Sequence, residues 1–111
     1  MLLSNLELLR HIRDEIDFTL LYTKSKTQEQ LLQDDVLCRA VVRSIEIIGE
    51  AAKKIDEEFK SEHPQIEWKK IAGTRNKLIH EYFGVDYDII WDIIQNKLPE
   101  LKDFVDEIIK A

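Results

Sequence analysis

The sequence has few of the residues that break helices or cross-link chains. It contains three glycines, two prolines and one cysteine among 111 residues. A single cysteine cannot form a disulfide within the chain, so we expect Cys38 to be a small buried hydrophobic residue. With 44% hydrophobic and 34% charged residues, the composition excludes collagen-like and disordered chains and is typical of a soluble, helix-rich protein.

Long apolar segments are also missing. No apolar run approaches the roughly 18 residues that a membrane-spanning helix needs. The segment Met1–Asn5 does not combine basic and apolar stretches as a signal peptide does. We therefore expect no membrane partner and a cytoplasmic location. A chain of 111 residues can bury one core, so residues 1–111 are expected to form a single domain.

Positive charge is scarce overall but concentrated in one place. The formal net charge of −6 argues against a general nucleic-acid coat protein, because binding to phosphate backbones depends chiefly on accumulated Lys and Arg. Residues 68–80 nevertheless contain four cations and no acid, namely Lys69, Lys70, Arg75 and Lys77. This strip can contact a short run of phosphates, although each lysine can equally be a solvated surface side chain.

Hydrophobic periodicity predicts helices along most of the chain. Ser4 and Glu7 match a capping box, and the apolar spacing behind them predicts a first helix over about Asn5–Thr23. Thr27 and Gln30 form a second capping box that opens a short turn. Since an amphipathic helix buries its apolar face, the first helix requires a partner.

Two further helices are predicted in the middle of the chain. One is a long helix over about Asp34–Lys60, whose wide apolar arc indicates that it is either central to the bundle or also faces another subunit. The next is predicted over about Ile66–Phe83, with Gly73 and Thr74 as a point where it can break.

The C-terminal part predicts one more helix, with Asp86 as N-cap and with a kink or restart at Pro99. No segment alternates with the period of two that a strand requires. The predicted fold is therefore all-α, an up-and-down bundle of four to five helices whose last helix is kinked at Pro99.

The segment Arg75–Tyr82 combines side chains that suit phosphate chemistry. Arg75 keeps its charge and fits phosphate oxygens, while His80 can transfer a proton near neutral pH. On an ideal helix Arg75 lies in the middle of the apolar stripe together with Tyr82, whereas Asn76 and His80 share its edge. Because an unpaired buried guanidinium is costly, Arg75 must pair with a carboxylate, reach a cleft or meet a ligand anion.

The predicted long helix offers carboxylates for such a pair. Glu46 and Glu50 are four residues apart, with Arg43 beside them. The alternatives remain open at this point, since both glutamates can be solvated and Tyr82 can be an aromatic at the core edge. No His, Cys or carboxylate pair has convincing metal-ligand spacing, so neither a metal nor a cofactor is expected.

These residues resemble a known family. Arg75-Asn76 followed by His80-x-Tyr82 resembles the R-x-x-x-x-H-x-Y signature of the HEPN superfamily, in its HepT-like toxin branch. The similarity covers nearly the whole chain and extends to three further segments: 43–52, 68–71 and 98–101.

The resemblance implies a HEPN-like bundle that forms a homodimer with the two signature helices facing a shared cleft. It implies a metal-independent endoribonuclease, the toxin of a type VII-like toxin-antitoxin system whose antitoxin is a minimal nucleotidyltransferase. In this family the signature tyrosine, here Tyr82, is the position to which that partner attaches adenylyl groups.

RNA cleavage without a metal proceeds by attack of a ribose 2′-OH on the adjacent phosphorus, which requires proton transfer and cations for the added charge. One chain has a single candidate histidine, whereas two chains around a two-fold axis supply a pair. We assign proton transfer to His80, phosphate stabilisation to Arg75 and orientation to Asn76. Arg43, Glu46 and Glu50 would support the site, and Lys69, Lys70 and Lys77 would guide RNA.

Two alternatives remain from the sequence. The first is a non-catalytic HEPN module that binds a nucleotide or its transferase partner in the basic cleft. The second is a bundle in which residues 75–82 belong only to a structural ion-pair network.

Overall fold

A computed structural model describes residues 3–74, 76 and 86–110 of the chain. In chain order, the helices of these residues are α1 (Asn5–Thr23), α2 (Gln28–Gln33), α3 (Asp35–Lys54), α4 (Glu57–Glu62), α5 (Trp68–Ala72), α6 (Tyr87–Asp92), a π-helical segment (Ile93–Lys97) and α7 (Leu98–Lys110). No strand occurs in the described ranges. The predicted all-α bundle is confirmed. That residues 1–111 form a single domain stays a prediction.

The first two helices begin at the predicted capping boxes. Ser4 Oγ accepts a hydrogen bond from the backbone N–H of Glu7 at 3.1 Å, and the Glu7 carboxylate accepts one from the Ser4 N–H at 3.3 Å. Thr27 and Gln30 exchange the same two bonds at 3.1 and 2.8 Å. Each box satisfies N–H groups that have no partner within the helix, and α1 has the predicted bounds.

The prediction of one helix over Asp34–Lys60 is wrong, because α3 ends at Lys54 and a separate helix, α4, follows. Ile55 is extended and buried. Next to it, the Asp56 N–H donates to Asn5 Oδ1 at 3.1 Å and the Asn5 amide donates to Asp56 Oδ2 at 3.2 Å. These two hydrogen bonds tie Asp56 to the start of α1 at the point where α3 ends. Hydrophobic periodicity along the chain does not reveal contacts between residues so far apart in sequence.

Helix α3 contributes to both hydrophobic clusters of the described residues and is therefore central to the bundle. In the larger cluster α1 packs between α3 and α7, and its buried members are Leu8, Leu9, Ile12, Ile16, Ile48, Ala51, Ala52, Ile55, Ile66, Trp68, Leu98, Leu101 and Val105. The smaller cluster joins α2, α3, α6 and the π-helical segment through Leu31, Leu37, Cys38, Val41, Ile45, Ile90 and Ile94. Burial of these side chains is the main stabilising contribution to the fold.

The interruption expected near Pro99 takes the form of a π-helical segment just before it. Asp86 caps α6 as predicted, since its Oδ1 accepts from the N–H groups of Asp88 at 3.1 Å and Ile89 at 3.2 Å. The Leu98 N–H bonds to the Ile93 carbonyl, five residues back. Pro99 has no N–H to donate, so widening the preceding turn accommodates it. No helix in the described ranges is long and apolar enough to cross a membrane.

Candidate active site

Most of the predicted catalytic segment lies outside the described residues. Arg75, Lys77, His80 and Tyr82 are among those not described, so their predicted roles stay predictions. Asn76 is described, and it is exposed and helical, with its N–H donating to the Gly73 carbonyl at 3.1 Å. In the described part of the chain, helix α5 and Asn76 lead into this segment, and α5 packs on α3.

Helix α5 is held tightly against α3 at Gly49. A Cβ atom added to Gly49 would lie 3.1 Å from the carbonyl oxygen of Ile71 and 3.6 Å from that of Ala72. The first distance is shorter than ordinary carbon–oxygen contacts of about 3.3 Å or more. Only glycine leaves this space open, so the backbone just before Arg75 rests directly on α3.

Two side-chain hydrogen bonds hold the ends of α5. At its start, the indole N–H of the buried Trp68 donates to the His63 carbonyl at 3.0 Å. At its end, the Thr74 hydroxyl donates to the Lys70 carbonyl at 2.9 Å. With the Gly49 contact, these bonds fix where the chain enters the segment 75–82.

Arg43, Glu46 and Glu50 lie together on the outer face of α3, while their role in supporting the site stays a prediction. Arg43 Nη1 lies 3.6 Å from Glu46 Oε2 and 3.8 Å from Glu50 Oε1. The Glu46 side chain is only 19% exposed, so it is not simply a solvated carboxylate. Whether Arg75 pairs with either glutamate stays a prediction, since Arg75 lies outside the described residues.

Of the lysines predicted to guide RNA, Lys70 is already paired. Its Nζ lies 2.7 Å from Glu67 Oε2. The hydrogen bond that the Lys70 ammonium donates to the Glu67 carboxylate, together with the charge of that carboxylate, raises the pKa of Lys70. Lys70 therefore stays protonated at neutral pH, but Glu67 offsets part of its charge at short range.

Lys69 and Lys70 border a groove that also contains two lysines the sequence analysis missed. This groove of about 530 Å³ includes Lys53 and Lys60 together with Glu57 and Glu67 among its lining residues. Lys53 and Lys60 lie on α3 and α4, and the break between these helices helps to bring them beside α5. In the sequence, the adjacent Lys53 and Lys54 indicate a basic surface. The prediction of one continuous helix over Asp34–Lys60 did not place them beside α5.

Comparison with known proteins decides the family. A family model described as "Ribonuclease HepT-like" matches residues 9–108. The chain belongs to the HepT-like ribonuclease family. The resemblance identified from the signature residues is therefore confirmed at the level of the family.

Several relatives of the HepT-like family are similar over almost the whole chain. A "Putative RNase" of Caldanaerobacter subterraneus subsp. tengcongensis is 50% identical over 102 residues, covering 92% of this chain and 91% of the relative. A "Putative RNase" of Methanocaldococcus jannaschii is 45% identical, covering 94% and 83%. A "Probable ribonuclease HepT" of Thermococcus cleftensis is 40% identical, covering 89% and 90%. No solved structure is significantly similar to the chain.

Proposed function

We propose that this HepT-like chain is a metal-independent endoribonuclease and the toxin of a toxin-antitoxin pair. The observation that carries the proposal is membership of the ribonuclease family over residues 9–108, a range that contains Arg75, Asn76, His80 and Tyr82. The anchoring of α5 on Gly49 supports it, because a rigid approach to residues 75–82 is what an active site on that segment requires.

In the proposed reaction a ribose 2′-OH attacks the adjacent phosphorus and the 5′ oxygen leaves. One His80 accepts the proton of the 2′-OH, and the His80 of a second copy protonates the leaving oxygen. Arg75 neutralises the charge that develops on the phosphate oxygens, and Asn76 orients the imidazole or the phosphate. No step requires a metal or a cofactor, and a homodimer supplies both histidines.

The groove lined by Lys53, Lys60, Lys69 and Lys70 is the proposed path of the RNA beside this site. Lysines attract the phosphate backbone without reading the sequence of the bases. The whole chain has a net charge of −6, so its other surfaces should repel RNA and limit binding to the groove. Lys77, which belongs to the predicted catalytic segment, is proposed to add a further phosphate contact.

The main test is RNA cleavage by purified protein in the presence of a metal chelator. Positioned acid–base groups contribute about 10²–10⁴-fold to a rate, so His80→Ala should reduce cleavage by about 100-fold or more. His11→Ala is the matched control, because His11 is exposed on α1 and should leave the rate unchanged. Full cleavage by His80→Ala would overturn the catalytic assignment. Saturable nucleotide binding that Arg75→Ala abolishes, without cleavage of any RNA, would indicate a binding module instead.

A minimal nucleotidyltransferase is the proposed partner and Tyr82 its target. An adenylyl group on Tyr82 would add bulk and negative charge to a basic cleft and so repel RNA. After co-expression with the transferase, mass measurement should show adenylyl adducts that Tyr82→Phe abolishes. Tyr22→Phe and Tyr87→Phe are controls, because both tyrosines are exposed and should leave the adducts in place. Adducts that persist in Tyr82→Phe would contradict this regulation. Both partners are expected in the cytoplasm, where the RNA is.

A further inference from the structure

The groove on the proposed RNA path gathers positive charge from three helices. It measures about 530 Å³, and lysines of α3, α4 and α5 line it, namely Lys53, Lys60, Lys69 and Lys70. Glu57 and Glu67 also line it, so these six side chains leave two positive charges in excess. We call this the lysine groove. In a chain with a net charge of −6, such a local excess favours an anionic ligand.

Both glutamates of the lysine groove already have a lysine partner three positions along the chain. Glu57 Oε1 lies 3.4 Å from Lys60 Nζ, and Glu67 Oε2 lies 2.7 Å from Lys70 Nζ. These local pairs offset the charges of two lysines. The excess positive charge therefore belongs to the other two lysines of the groove.

Lys53 and Lys69 carry this excess charge. Both residues are exposed, and in the described part of the chain neither has an ion pair within 4.0 Å. Each ammonium group offers three hydrogen-bond donors. Like charges on the walls of one cleft concentrate its field, so they attract an anion more strongly than the same charges on a flat surface. The ligand that suits them has about two negative charges and several acceptor oxygens.

Packing holds the helices that carry these lysines in place. The close contact of Gly49 with the Ile71 carbonyl joins α3 to α5. The hydrogen bond from the Trp68 indole to the His63 carbonyl joins α5 to the end of α4. The Lys60 side chain is only 15% exposed, so its packed stem restricts where the ammonium lies. The groove is therefore largely preformed, which lowers the entropic cost of binding.

The size of the lysine groove suits one nucleotide rather than a run of several. Its volume of about 530 Å³ lies within the range of about 300–1,000 Å³ that is typical of small-molecule sites. Trp68 and Ala72 add apolar surface to its lining, against which a ribose or a base can pack.

We propose that the lysine groove binds a phosphate monoester, the group found at the 5′ end of a processed RNA and on a free mononucleotide. A monoester carries about 1.5–2 negative charges at pH 7 and three acceptor oxygens, which matches the excess charge on Lys53 and Lys69. A diester inside an RNA chain carries one negative charge and matches less well. The proposal rests on the proposed function, in which the groove is part of the RNA path, and it names the end of the RNA that binds there.

The lysine groove adjoins the end of α5, which leads into the predicted catalytic segment. Ala72 lines the groove and stands three positions before Arg75 in the sequence. Attack of a 2′-OH with loss of the 5′ oxygen leaves a cyclic phosphate diester on one fragment and a 5′ hydroxyl on the other. Neither newly formed end is a monoester. The groove would therefore distinguish a 5′-phosphorylated substrate from the downstream product.

Binding of a 5′-phosphorylated RNA oligonucleotide tests the proposal. Its riboses are 2′-O-methylated, so they lack the attacking hydroxyl and the oligonucleotide is not cleaved by the proposed reaction. In fluorescence anisotropy, the unchanged chain should bind it at least about tenfold more tightly than the same oligonucleotide with a 5′ hydroxyl, because the monoester adds charge-assisted hydrogen bonds. A 5′ methyl phosphate, which is a diester, should restore only a small part of this difference.

Exchanging the two unpaired lysines tests which residues provide the preference. Lys53→Gln/Lys69→Gln should lower the ratio of the two affinities to about one, whereas Lys53→Arg/Lys69→Arg keeps both charges and should keep most of the ratio. Lys54→Gln/Lys26→Gln is the matched control, because it removes the same charge at exposed lysines that are not among the described lining residues. This control should weaken the binding of both oligonucleotides alike and leave their ratio unchanged. Circular dichroism verifies that each variant is folded.

Competition distinguishes the two sources of the monoester. Displacement of the 5′-phosphorylated oligonucleotide by AMP, but not by adenosine, would show that a free mononucleotide is bound as well. A 5′-phosphate preference that AMP does not reduce would assign the groove to the end of an RNA chain. Equal displacement by AMP and adenosine would overturn the proposal, because adenosine has no phosphate.

The outcomes separate this proposal from the ribonuclease proposal. Equal affinity for the 5′-phosphate and 5′-hydroxyl oligonucleotides would overturn the monoester site, as would a preference that survives in folded Lys53→Gln/Lys69→Gln. If such a chain still cleaved unmodified RNA, the ribonuclease proposal would stand. A 5′-phosphate preference in a chain that cleaves no RNA would support the monoester site and count against the ribonuclease.

Discussion

Adding one methyl group at Gly49 probes how closely α5 packs on α3. The Cβ of Gly49→Ala would lie 3.1 Å from the Ile71 carbonyl oxygen. An ordinary contact is about 0.3 Å longer, so α5 must shift by a few tenths of an ångström. That oxygen belongs to the backbone and cannot turn aside as a flexible side chain would.

Two effects of opposite sign determine the change in stability. Replacing glycine by alanine inside a helix stabilises it by about 1 kcal/mol, while overpacking a tight contact costs about 1–3 kcal/mol. We therefore expect Gly49→Ala to lower the free energy of unfolding by about 0–2 kcal/mol. Gly49→Val adds more volume and a β-branched side chain, so it should cost about 3 kcal/mol or more.

Urea denaturation monitored by circular dichroism measures both variants. Lys53→Ala is the control, because Lys53 is an exposed residue on the same helix and its replacement should change stability by less than about 0.5 kcal/mol. If Gly49→Ala stabilised the chain by the full ~1 kcal/mol of an unconstrained helix position, the close contact with α5 would be refuted. Under the proposed function, the displaced α5 should also slow RNA cleavage by about tenfold.

Three further predictions concern described residues. Burial raises the pKa of the Cys38 thiol, so at pH 8 a thiol reagent should modify the folded chain much more slowly than the urea-unfolded chain; equal rates would contradict this. A hydrogen bond from Lys102 to Asp17 at 2.6 Å raises the pKa of Lys102. This hydrogen bond stabilises the fold by less than about 1 kcal/mol, because both side chains are partly exposed. The stabilisation is present below the ordinary lysine pKa and is lost as the pH rises through the raised pKa of Lys102. Asp17→Asn should therefore lower the free energy of unfolding at pH 8, and this loss should shrink as the pH rises above the ordinary lysine pKa. A loss that does not change with pH would contradict the pairing. Asp86→Ala removes the cap of α6 and should cost about 1 kcal/mol in urea denaturation, and no loss would contradict the capping role.

The sequence predicted those parts of the fold that depend on local chemistry. Ser4 with Glu7 marked the start of α1, and Asp86 marked the start of α6, because a capping bond forms between residues two or three positions apart. The wide apolar arc of α3 predicted that this helix is either central to the bundle or also faces another subunit, and its part in both clusters shows that it is central. The family could also be recognised, because its signature residues lie within a short segment.

The features that the sequence did not predict depend on residues far apart in the chain. The break after α3 involves Asn5 and Asp56, which are 51 positions apart. The contact of Gly49 with α5 and the groove that joins Lys53 to Lys69 likewise require the folded arrangement. Periodicity reports on one helix at a time, so it cannot show which backbone approaches which.

The most direct test of the central claim, that one chain carries half of a ribonuclease site, is the cleavage rate as the protein is diluted. A labelled RNA is cleaved in the presence of a metal chelator while native mass measurement gives the fraction of dimer at each concentration. Cleavage per chain should fall in proportion to the fraction of dimer. The claim would be contradicted if cleavage per chain stayed constant down to concentrations at which the protein is monomeric. It would also be contradicted if no RNA were cleaved at any concentration.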